Sequence, residues 1–201
     1  MPAGRRFADA APRRIREFFD KIHGMTLILR AVSLSDPGLV RTNNEDEAHA
    51  GGRLIAVADG MGGLPAGEVA SRIAITAMAA LEWAPTDDAP AVALAGAVAA
   101  TTRQIRALVD EDPTREGMGT TMTAVLLAGA VLVVAHIGDS RGYLLRGGVL
   151  QPLTRDDTFV QELVEQGTLS PAEARRHPQR SLVTRAVQAY DISPAVSTLP
   201  A

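Results

Sequence analysis

Residues 54–63, LIAVADGMGG, carry an apolar run to a single aspartate, Asp59, and then to three glycines. The apolar residues suit a buried strand, which would hold Asp59 rigidly at its end while the glycines let the backbone turn sharply. A carboxylate fixed at a strand end is well placed to bind a cation. The pair Asp59-Gly60, taken alone, is also the ordinary sequence of a turn that ends a strand, so the remainder of the chain has to decide between the two interpretations.

Composition narrows both the class of protein and the kind of metal site. The chain has 201 residues, 46% of them hydrophobic, which is enough for one domain with a buried core. It has no cysteine, so disulfides and thiolate metal sites are excluded, and oxygen ligands favour magnesium or manganese. No apolar run approaches the ~20 residues of a membrane span, and we expect a cytoplasmic protein. The net charge is −3 without basic runs interleaved with aromatics, which argues against nucleic acid as a partner.

The first 24 residues differ from the rest of the chain in charge. They contain six basic and three acidic residues and are therefore +3, whereas the remainder is −6. We predict that residues 1–24 form a basic N-terminal extension that is disordered. Two alternatives stay open: a short amphipathic helix, because four apolar residues recur at helical spacing, and upstream sequence ahead of a true start at Met25.

Hydrophobic periodicity predicts an α+β protein with antiparallel strands. Alternating β-branched runs that meet at glycine-containing turns indicate hairpins, and apolar residues one helical turn apart indicate two long helices that pair. Strands joined by tight turns are antiparallel, which excludes a βαβ dinucleotide fold. The predicted elements are a strand at 26–33, a turn at 35–38, helices at 68–83 and 91–110, hairpins at 120–137 and 143–153, a helix at 158–167, a proline-started helical turn from 170, and a return to the sheet at 182–187.

Two further features could carry phosphate chemistry. Three consecutive carboxylates, residues 45–47, closely follow Arg41, and a guanidinium beside a carboxylate-bound cation is a good arrangement for gripping a phosphate. A second strand-end aspartate, Asp139, occurs in the sequence GDSR. Acidic runs are more often solvated loops. His136, on the strand that leads to Asp139, is predicted to be a hydrogen-bonded core residue and not a metal ligand.

Taken together and in this order, these motifs resemble the metal-dependent protein phosphatases of type 2C, and the bacterial Ser/Thr branch fits best. The resemblance extends from about Leu29 to Val187. The motifs that carry it are RTNNED (41–46), ADGMGG (58–63), GMGTT (117–121), HIGDSRGYLLR (136–146), LTRDD (153–157) and HPQRSLVTRA (177–186).

The resemblance implies an α-β-β-α sandwich of two antiparallel sheets flanked by helix pairs, with a dinuclear manganese or magnesium site at one end. In the family the aspartate matching Asp59 bridges both metals, while the carbonyl matching Gly60 and the carboxylate matching Glu45 bind one of them. The aspartate matching Asp139 binds a third, weaker metal in bacterial members, with Ser181 nearby.

The resemblance also implies a reaction. The arginine matching Arg41 binds the substrate phosphate, the aspartate matching Asp46 supports the metal shell, and a metal-bridging water attacks the phosphorus of phosphoserine or phosphothreonine without a phosphoenzyme. Many eukaryotic members have a histidine where this chain has Met61, which cannot give a proton. Protonation of the leaving group by metal-bound water is therefore expected.

The family pattern continues beyond this sequence, into a serine-aspartate-glycine strand end and an aspartate-asparagine pair that complete one metal shell. We therefore expect residues 25–201 to be a type 2C catalytic domain that is incomplete at its C-terminus, lacks the last strands, and has a flap at about 158–180. Native-level activity is then in question.

Two rival functions stay open at this point. One is a phosphoprotein-binding relic of the same fold that is impaired in catalysis. The other is a nucleotide-binding module, although the glycine loop lacks the GxGxxG spacing and Glu68 stands where a P-loop would have lysine. For the phosphatase, the expected partners are phosphorylated proteins and the Ser/Thr protein kinases that it opposes, and the chain is expected to be a monomer.

Overall fold

A six-stranded antiparallel sheet dominates the computed structural model, which describes residues 27–39, 43–63, 66–84 and 89–201. The predictions for residues 1–24 and for Arg41 lie outside these ranges. The strands are β1 (Asp46–Ala50), β2 (Leu54–Met61), β3 (Gly119–Thr120), β4 (Met122–Ala128), β5 (Val131–Ile137), β6 (Tyr143–Arg146), β7 (Val149–Pro152) and β8 (Ala195–Pro200).

The helices are two long and two short. A 3-10 turn, Ala80–Glu82, continues the first long helix, and another, Pro113–Arg115, follows the second. Within the described ranges, no helix is both long enough and apolar enough to cross a bilayer. The helices are α1 (Ala66–Ala79), α2 (Pro90–Glu111), α3 (Phe159–Glu165) and α4 (Pro171–Ala174).

The sheet has the order β1-β2-β4-β5-β8, with β3 paired to the end of β2, and β6 and β7 form a separate hairpin. The long strand β2 is central to the site, and it pairs with β1 from Ile55 to Asp59. In this register Asp46 lies directly opposite Asp59. The acidic segment before β1 and the aspartate at the end of β2 therefore meet at the same end of the sheet.

Helices α1 and α2 pack together against one face of the sheet and close the core. The buried face of α1 consists largely of small residues, including Gly67, Ala70 and Ala74, which let the helix lie close to β2. Larger side chains, such as Leu54, Leu94 and Met122 at 0% exposure, fill the remaining space. Burial of each such side chain is worth ~1.5–3 kcal/mol relative to water.

The carboxylate of Glu82 ties the far end of α1 to the turn between β1 and β2. It accepts hydrogen bonds from the backbone N–H groups of Gly52, Arg53 and Leu54 at 2.7, 3.1 and 3.1 Å, and it faces His49. Although burial acts to raise it, these N–H donors and His49 hold the pKa of Glu82 below its ordinary value. The start of β2 is thereby fixed at the end opposite Asp59.

The sequence predicted most of these elements. The α+β class, both long helices, both hairpins, the helix at 158–167 and the proline-started turn from 170 are confirmed, and Ser170 caps α4 with a capping box. The predicted strand at 26–33 is wrong for its described part, since residues 27–33 form no strand. A strand needs a neighbour for its backbone groups, and β8, which the sequence did not reveal, already pairs with the outer edge of β5.

Residues 158–187, which contain the segment predicted as a flap at about 158–180, form two isolated bridges, one of which joins them to the sheet. Thr158 pairs with Val183, and Thr120 pairs with Val187. The predicted return to the sheet at 182–187 is thus confirmed at Val187 alone, as one isolated bridge and not as a strand.

Candidate active site

The end of β2 positions a carboxylate and a carbonyl at the edge of the sheet. Asp59 and Gly60 are consecutive there, and the Gly60 N–H donates to the Glu45 carbonyl at 3.1 Å. The Glu45 side chain is oriented by Asn43, whose amide nitrogen donates to Glu45 Oε1 at 2.9 Å. The segment before β1 is therefore held against the end of β2.

Two glycines make this close approach possible. A Cβ atom on Gly60 would lie 2.1 Å from the carbonyl oxygen of Gly67, and one on Gly67 would lie 2.4 Å from Oε2 of Glu45. Real Cβ contacts are never this short, so any larger residue would displace either the backbone or the Glu45 carboxylate. The first turn of α1 thus packs directly against the Glu45 carboxylate and restricts its position.

A cavity of about 700 Å³ opens at this end of the sheet. Five separate segments contribute oxygen-bearing groups to its lining: the segment before β1, the end of β2, Thr121 between β3 and β4, the loop after β5, and the segment that contains Ser181. The members that were predicted as metal residues are Glu45, Asp59, Gly60, Asp139 and Ser181. The structure therefore brings the whole predicted metal set to one cavity.

Of the remaining predicted site residues, Asp46 lies within the described ranges and Arg41 does not. Asp46 is not part of this lining but borders a neighbouring cavity, on which Asp59 also lies. Met61 lines the main cavity, as expected for the residue that follows the Asp-Gly pair. Arg41 lies outside the described residues.

The donor set suits a hard divalent cation. Carboxylate, carbonyl and hydroxyl oxygens are the ligands that magnesium and manganese take, and magnesium retains several waters when it binds proteins. Within the described parts of the chain, no three carboxylate or imidazole groups converge closely enough to hold an ion by themselves. These residues therefore fit one part of a coordination shell that waters complete.

Thr121 fixes the backbone of Asp59 through two hydrogen bonds. Its Oγ1 accepts the Asp59 N–H at 2.9 Å, and its own N–H donates to the Asp59 carbonyl at 2.9 Å. The same hydroxyl bonds Ser140 Oγ at 2.8 Å, which links the end of β2 to the residue after Asp139. The sequence showed Thr121 as part of GMGTT but gave it no role, because its partners are distant along the chain.

His136 is a hydrogen-bonded core residue, as predicted. It is 4% exposed, its Nδ1 lies 2.8 Å from Thr123 Oγ1, and its Nε2 lies 2.9 Å from the Arg155 carbonyl. Thr123 Oγ1 also bonds the Ser140 carbonyl at 3.0 Å. His136 thus supports the loop that carries Asp139 without reaching the cavity.

The motif LTRDD, residues 153–157, connects the Asp139 loop to the flap. The buried Asp157 carboxylate accepts the Gly138 N–H at 3.0 Å and lies 3.4 Å from the Arg185 guanidinium. Asp156 binds Arg141, with Nε to Oδ1 at 2.8 Å, and Arg155 pairs with Glu165 of α3. The sequence shows that these residues carry opposite charges, but nothing in it indicates which of them pair.

Burial and, secondarily, the Asp156 carboxylate raise the pKa of Asp139 above its ordinary value. Without a cation, the Asp139 carboxylate therefore keeps its proton to a higher pH than a free aspartate. A bound cation would favour the ionised form, so cation binding at this position is expected to weaken as the pH falls.

Comparison with known proteins confirms the family resemblance seen in the sequence. A sequence profile for the family described as Protein phosphatase 2C matches residues 41–190. The chain belongs to the protein phosphatase 2C family. It is 52% identical over 177 residues to the serine/threonine protein phosphatase PstP of Mycobacterium tuberculosis, an alignment that covers 86% of this chain and 34% of PstP.

Another relative in the protein phosphatase 2C family is less similar in sequence than PstP but is covered over more of its length. Identity to protein phosphatase PhpP of Streptococcus pneumoniae is 37% over 176 residues, covering 83% of this chain and 71% of PhpP. The chain thus spans about a third of the length of PstP.

Solved structures confirm the fold of this family member. The crystal structure of the M. tuberculosis phosphatase PstP matches with a TM-score of 0.84 at 51% identity, over 87% of this chain and 74% of that one. The catalytic domain of PstP in complex with two manganese ions matches with a TM-score of 0.81 at 50% identity, over 88% of this chain and 74% of that one.

Proposed function

We propose that this chain hydrolyses phosphoserine and phosphothreonine in proteins, in a reaction that depends on manganese or magnesium. One observation carries the proposal: four separate segments bring Glu45, Asp59, Gly60, Asp139 and Ser181 to one cavity. These are the residues that the family resemblance marked as metal ligands. Family membership, and relatives that are named Ser/Thr protein phosphatases, support it further.

We assign Asp59, the Gly60 carbonyl and the Glu45 carboxylate as the groups that would hold the main cations, and Asp139, with Ser181, as the groups that would hold a further one. When bound, the divalent cations supply positive charge that polarises the phosphate and makes a water molecule acidic enough to act as a nucleophile. Thr121 fixes the backbone of Asp59, so this carboxylate can hold a constant position while the phosphate enters.

The substrate phosphate needs a second binding group besides the cations, and we assign this role to Arg41. A guanidinium can form two parallel hydrogen bonds to phosphate oxygens while the cations bind the opposite side. Asp46, which lies opposite Asp59 in the β1–β2 ladder, is assigned to the outer support of the site. Met61 lines the cavity but has no proton to give, so we expect water to protonate the leaving oxygen.

The proposed partners are phosphorylated proteins, including those modified by Ser/Thr protein kinases, and the proposed setting is a cytoplasmic monomer. Cell fractionation and light scattering of the purified chain would test the last two points. A phosphoprotein-binding relic is not favoured, because the relatives are named as phosphatases. A nucleotide-binding module receives no support from the family.

Phosphate release from a phosphothreonine peptide tests the proposal. The chain is assayed with manganese, with EDTA, and as the Asp59→Asn variant, and Asp110→Asn serves as a control because Asp110 is an exposed residue near the end of α2. We expect turnover with manganese for the unchanged chain and for Asp110→Asn only. Binding of the peptide without turnover, in a folded sample, would instead identify the relic.

A further inference from the structure

The loop that carries Asp139 leaves the sheet at the end of β5, so the sheet does not fix its position. The β4–β5 ladder ends at the pair Met122 and Ile137. The next residue, Gly138, has a φ of +106°, which turns the chain away from the strand direction. We call residues 138–142 the Asp139 loop. The position of Asp139 therefore has to come from contacts between this loop and neighbouring segments.

Hydrogen bonds tie both ends of the Asp139 loop to the LTRDD segment. The Gly138 N–H donates to the Asp157 carboxylate at 3.0 Å, and the Gly138 carbonyl accepts the Asp157 N–H at 2.7 Å. At the other end of the loop, the Gly142 N–H donates to Thr154 Oγ1 at 3.0 Å. These bonds fix the loop relative to the LTRDD segment, and they do not involve the end of β2.

The side chain of Thr121 contacts the loop on both sides of Asp139. Its Oγ1 lies 2.8 Å from Ser140 Oγ. Its methyl group packs against Gly138, where an added Cβ would lie 2.6 Å from Thr121 Cγ2. The same Oγ1 accepts the Asp59 N–H at 2.9 Å. Because a β-branched side chain is stiff about χ1, one rotamer of Thr121 fixes both contacts with the loop relative to Asp59.

The Ser140 hydroxyl can be removed without disturbing the other bonds of this arrangement. A threonine hydroxyl has one proton and two lone pairs, so Thr121 Oγ1 can accept the Asp59 N–H whether or not Ser140 is bonded to it. The Ser140 carbonyl accepts Thr123 Oγ1 at 3.0 Å, and alanine at this position would retain that carbonyl. Loss of the hydroxyl therefore releases the Asp139 loop from the end of β2 while Asp59 keeps its own support.

We propose that Ser140 is a positioning residue for the cation site at Asp139. Through Thr121, its hydroxyl holds Asp139 at a fixed distance from Asp59, so the two carboxylates that line the active-site cavity keep a constant separation. This inference rests on the proposed function and deepens it. The affinity for a further cation beside Asp59 depends on one hydrogen bond between two side chains, neither of which is assigned as a ligand.

Manganese binding, measured without turnover, tests this role. Free manganese is counted by electron paramagnetic resonance while the unchanged chain, Ser140→Ala and Asp139→Asn are titrated. We expect Asp139→Asn to lose the weakest binding step, and Ser140→Ala to weaken that step by ~10–100-fold while the tighter steps keep their affinity. The double variant Asp139→Asn/Ser140→Ala should bind as Asp139→Asn does, because Ser140 acts only through Asp139.

Two further variants are the controls. Ser140→Thr retains the hydroxyl, and Ser140 borders a cavity of about 230 Å³ that has room for one methyl group, so manganese binding should be normal. Ser197→Ala removes an exposed hydroxyl from β8 and should also bind normally. An unchanged weakest step in Ser140→Ala, an equal loss in either control, or a further loss in the double variant would overturn the inference.

Hydrolysis of a phosphothreonine peptide separates the failure of this inference from the failure of the proposed function. Ser140→Ala should need ~10–100-fold more manganese for its half-maximal rate, and excess manganese should restore the full rate. Absence of hydrolysis by the unchanged chain would contradict the proposed function, whereas the binding titrations would still decide the role of Ser140. Loss of the weakest step in Asp139→Asn, with that step unchanged in Ser140→Ala, would contradict the inference alone.

Discussion

Replacement of Gly67 by alanine should damage the cation site although alanine normally favours helices. Gly67 lies in the first turn of α1, and a Cβ there would be 2.4 Å from Glu45 Oε2 and 2.9 Å from the carbonyl carbon of Gly60. Ordinary contacts are ~3.5 Å, so the Glu45 carboxylate would have to move by about 1 Å. Gly96 provides the matched control, because it lies within α2 and a Cβ there would meet no atom within 4 Å.

The two variants should change the free energy of unfolding in opposite directions. Gly96→Ala should raise the free energy of unfolding by ~0.5–1 kcal/mol, the ordinary difference between these residues within a helix. Gly67→Ala gains part of that amount but incurs an overpacking cost of ~1–3 kcal/mol, so a net loss of about 1–2 kcal/mol is expected. Displacement of Glu45 should also weaken manganese binding by about 10–100-fold, the range seen when the support of a metal ligand is removed.

Urea unfolding in EDTA and isothermal titration with manganese measure both quantities. We expect Gly67→Ala to be less stable and to bind manganese weakly, while Gly96→Ala is more stable and binds manganese normally. A Gly67→Ala variant that gains stability as Gly96→Ala does, and binds manganese with unchanged affinity, would refute the assignment of Glu45 to the site.

Three further substitutions test the supports of the site. Glu82→Gln should lower the free energy of unfolding by about 2 kcal/mol at neutral pH, because three backbone N–H donors lose a charged acceptor. Folding lowers the pKa of Glu82, so its stabilising contribution is present above the unfolded pKa near ~4.3 and is lost as the pH falls through the folded pKa. The unchanged chain and Glu82→Gln should therefore converge in stability in acid. A difference in the free energy of unfolding that stays constant with pH would contradict this. Thr121→Val keeps the shape but leaves the Asp59 N–H without an acceptor, and a loss of ~1–3 kcal/mol is expected in urea unfolding, whereas an unchanged midpoint would contradict this support. Asp157→Asn keeps a carbonyl for the Gly138 N–H but removes the buried charge that faces two guanidinium groups, so ~1–3 kcal/mol should be lost and proteolysis of the flap should accelerate; a flap that resists protease as before would argue against the connection.

The sequence predicted the fold class and the strand ends that matter. Period-two and period-3.6 patterns marked both hairpins and both long helices, and the apolar run into Asp59 marked the end of β2. These features are local, so adjacent residues suffice to specify them. The strand β8 was missed because it is bounded by prolines and exposed over most of its length, and it depends on the free edge of β5.

The candidate site likewise contains residues that the sequence identifies and supporting contacts that it does not. The carboxylates and the glycines are visible as motifs, because their residue types reveal their chemistry. The supports are different: Thr121, Asp157 and Glu82 act on groups 19 to 62 residues away in the chain. No local pattern indicates such contacts, and only the folded arrangement of the strands brings these partners together.

The route of the phosphate oxygen tests the central claim, that water attacks phosphorus directly in the Asp59 cavity. A single turnover of a ³²P-labelled phosphothreonine peptide is run with manganese in H₂¹⁸O and quenched in acid. We predict one ¹⁸O atom in the released phosphate, no ³²P attached to the protein, and no release from Asp59→Asn. Phosphate without ¹⁸O, ³²P retained on the protein, or equal release from Asp59→Asn would contradict the account.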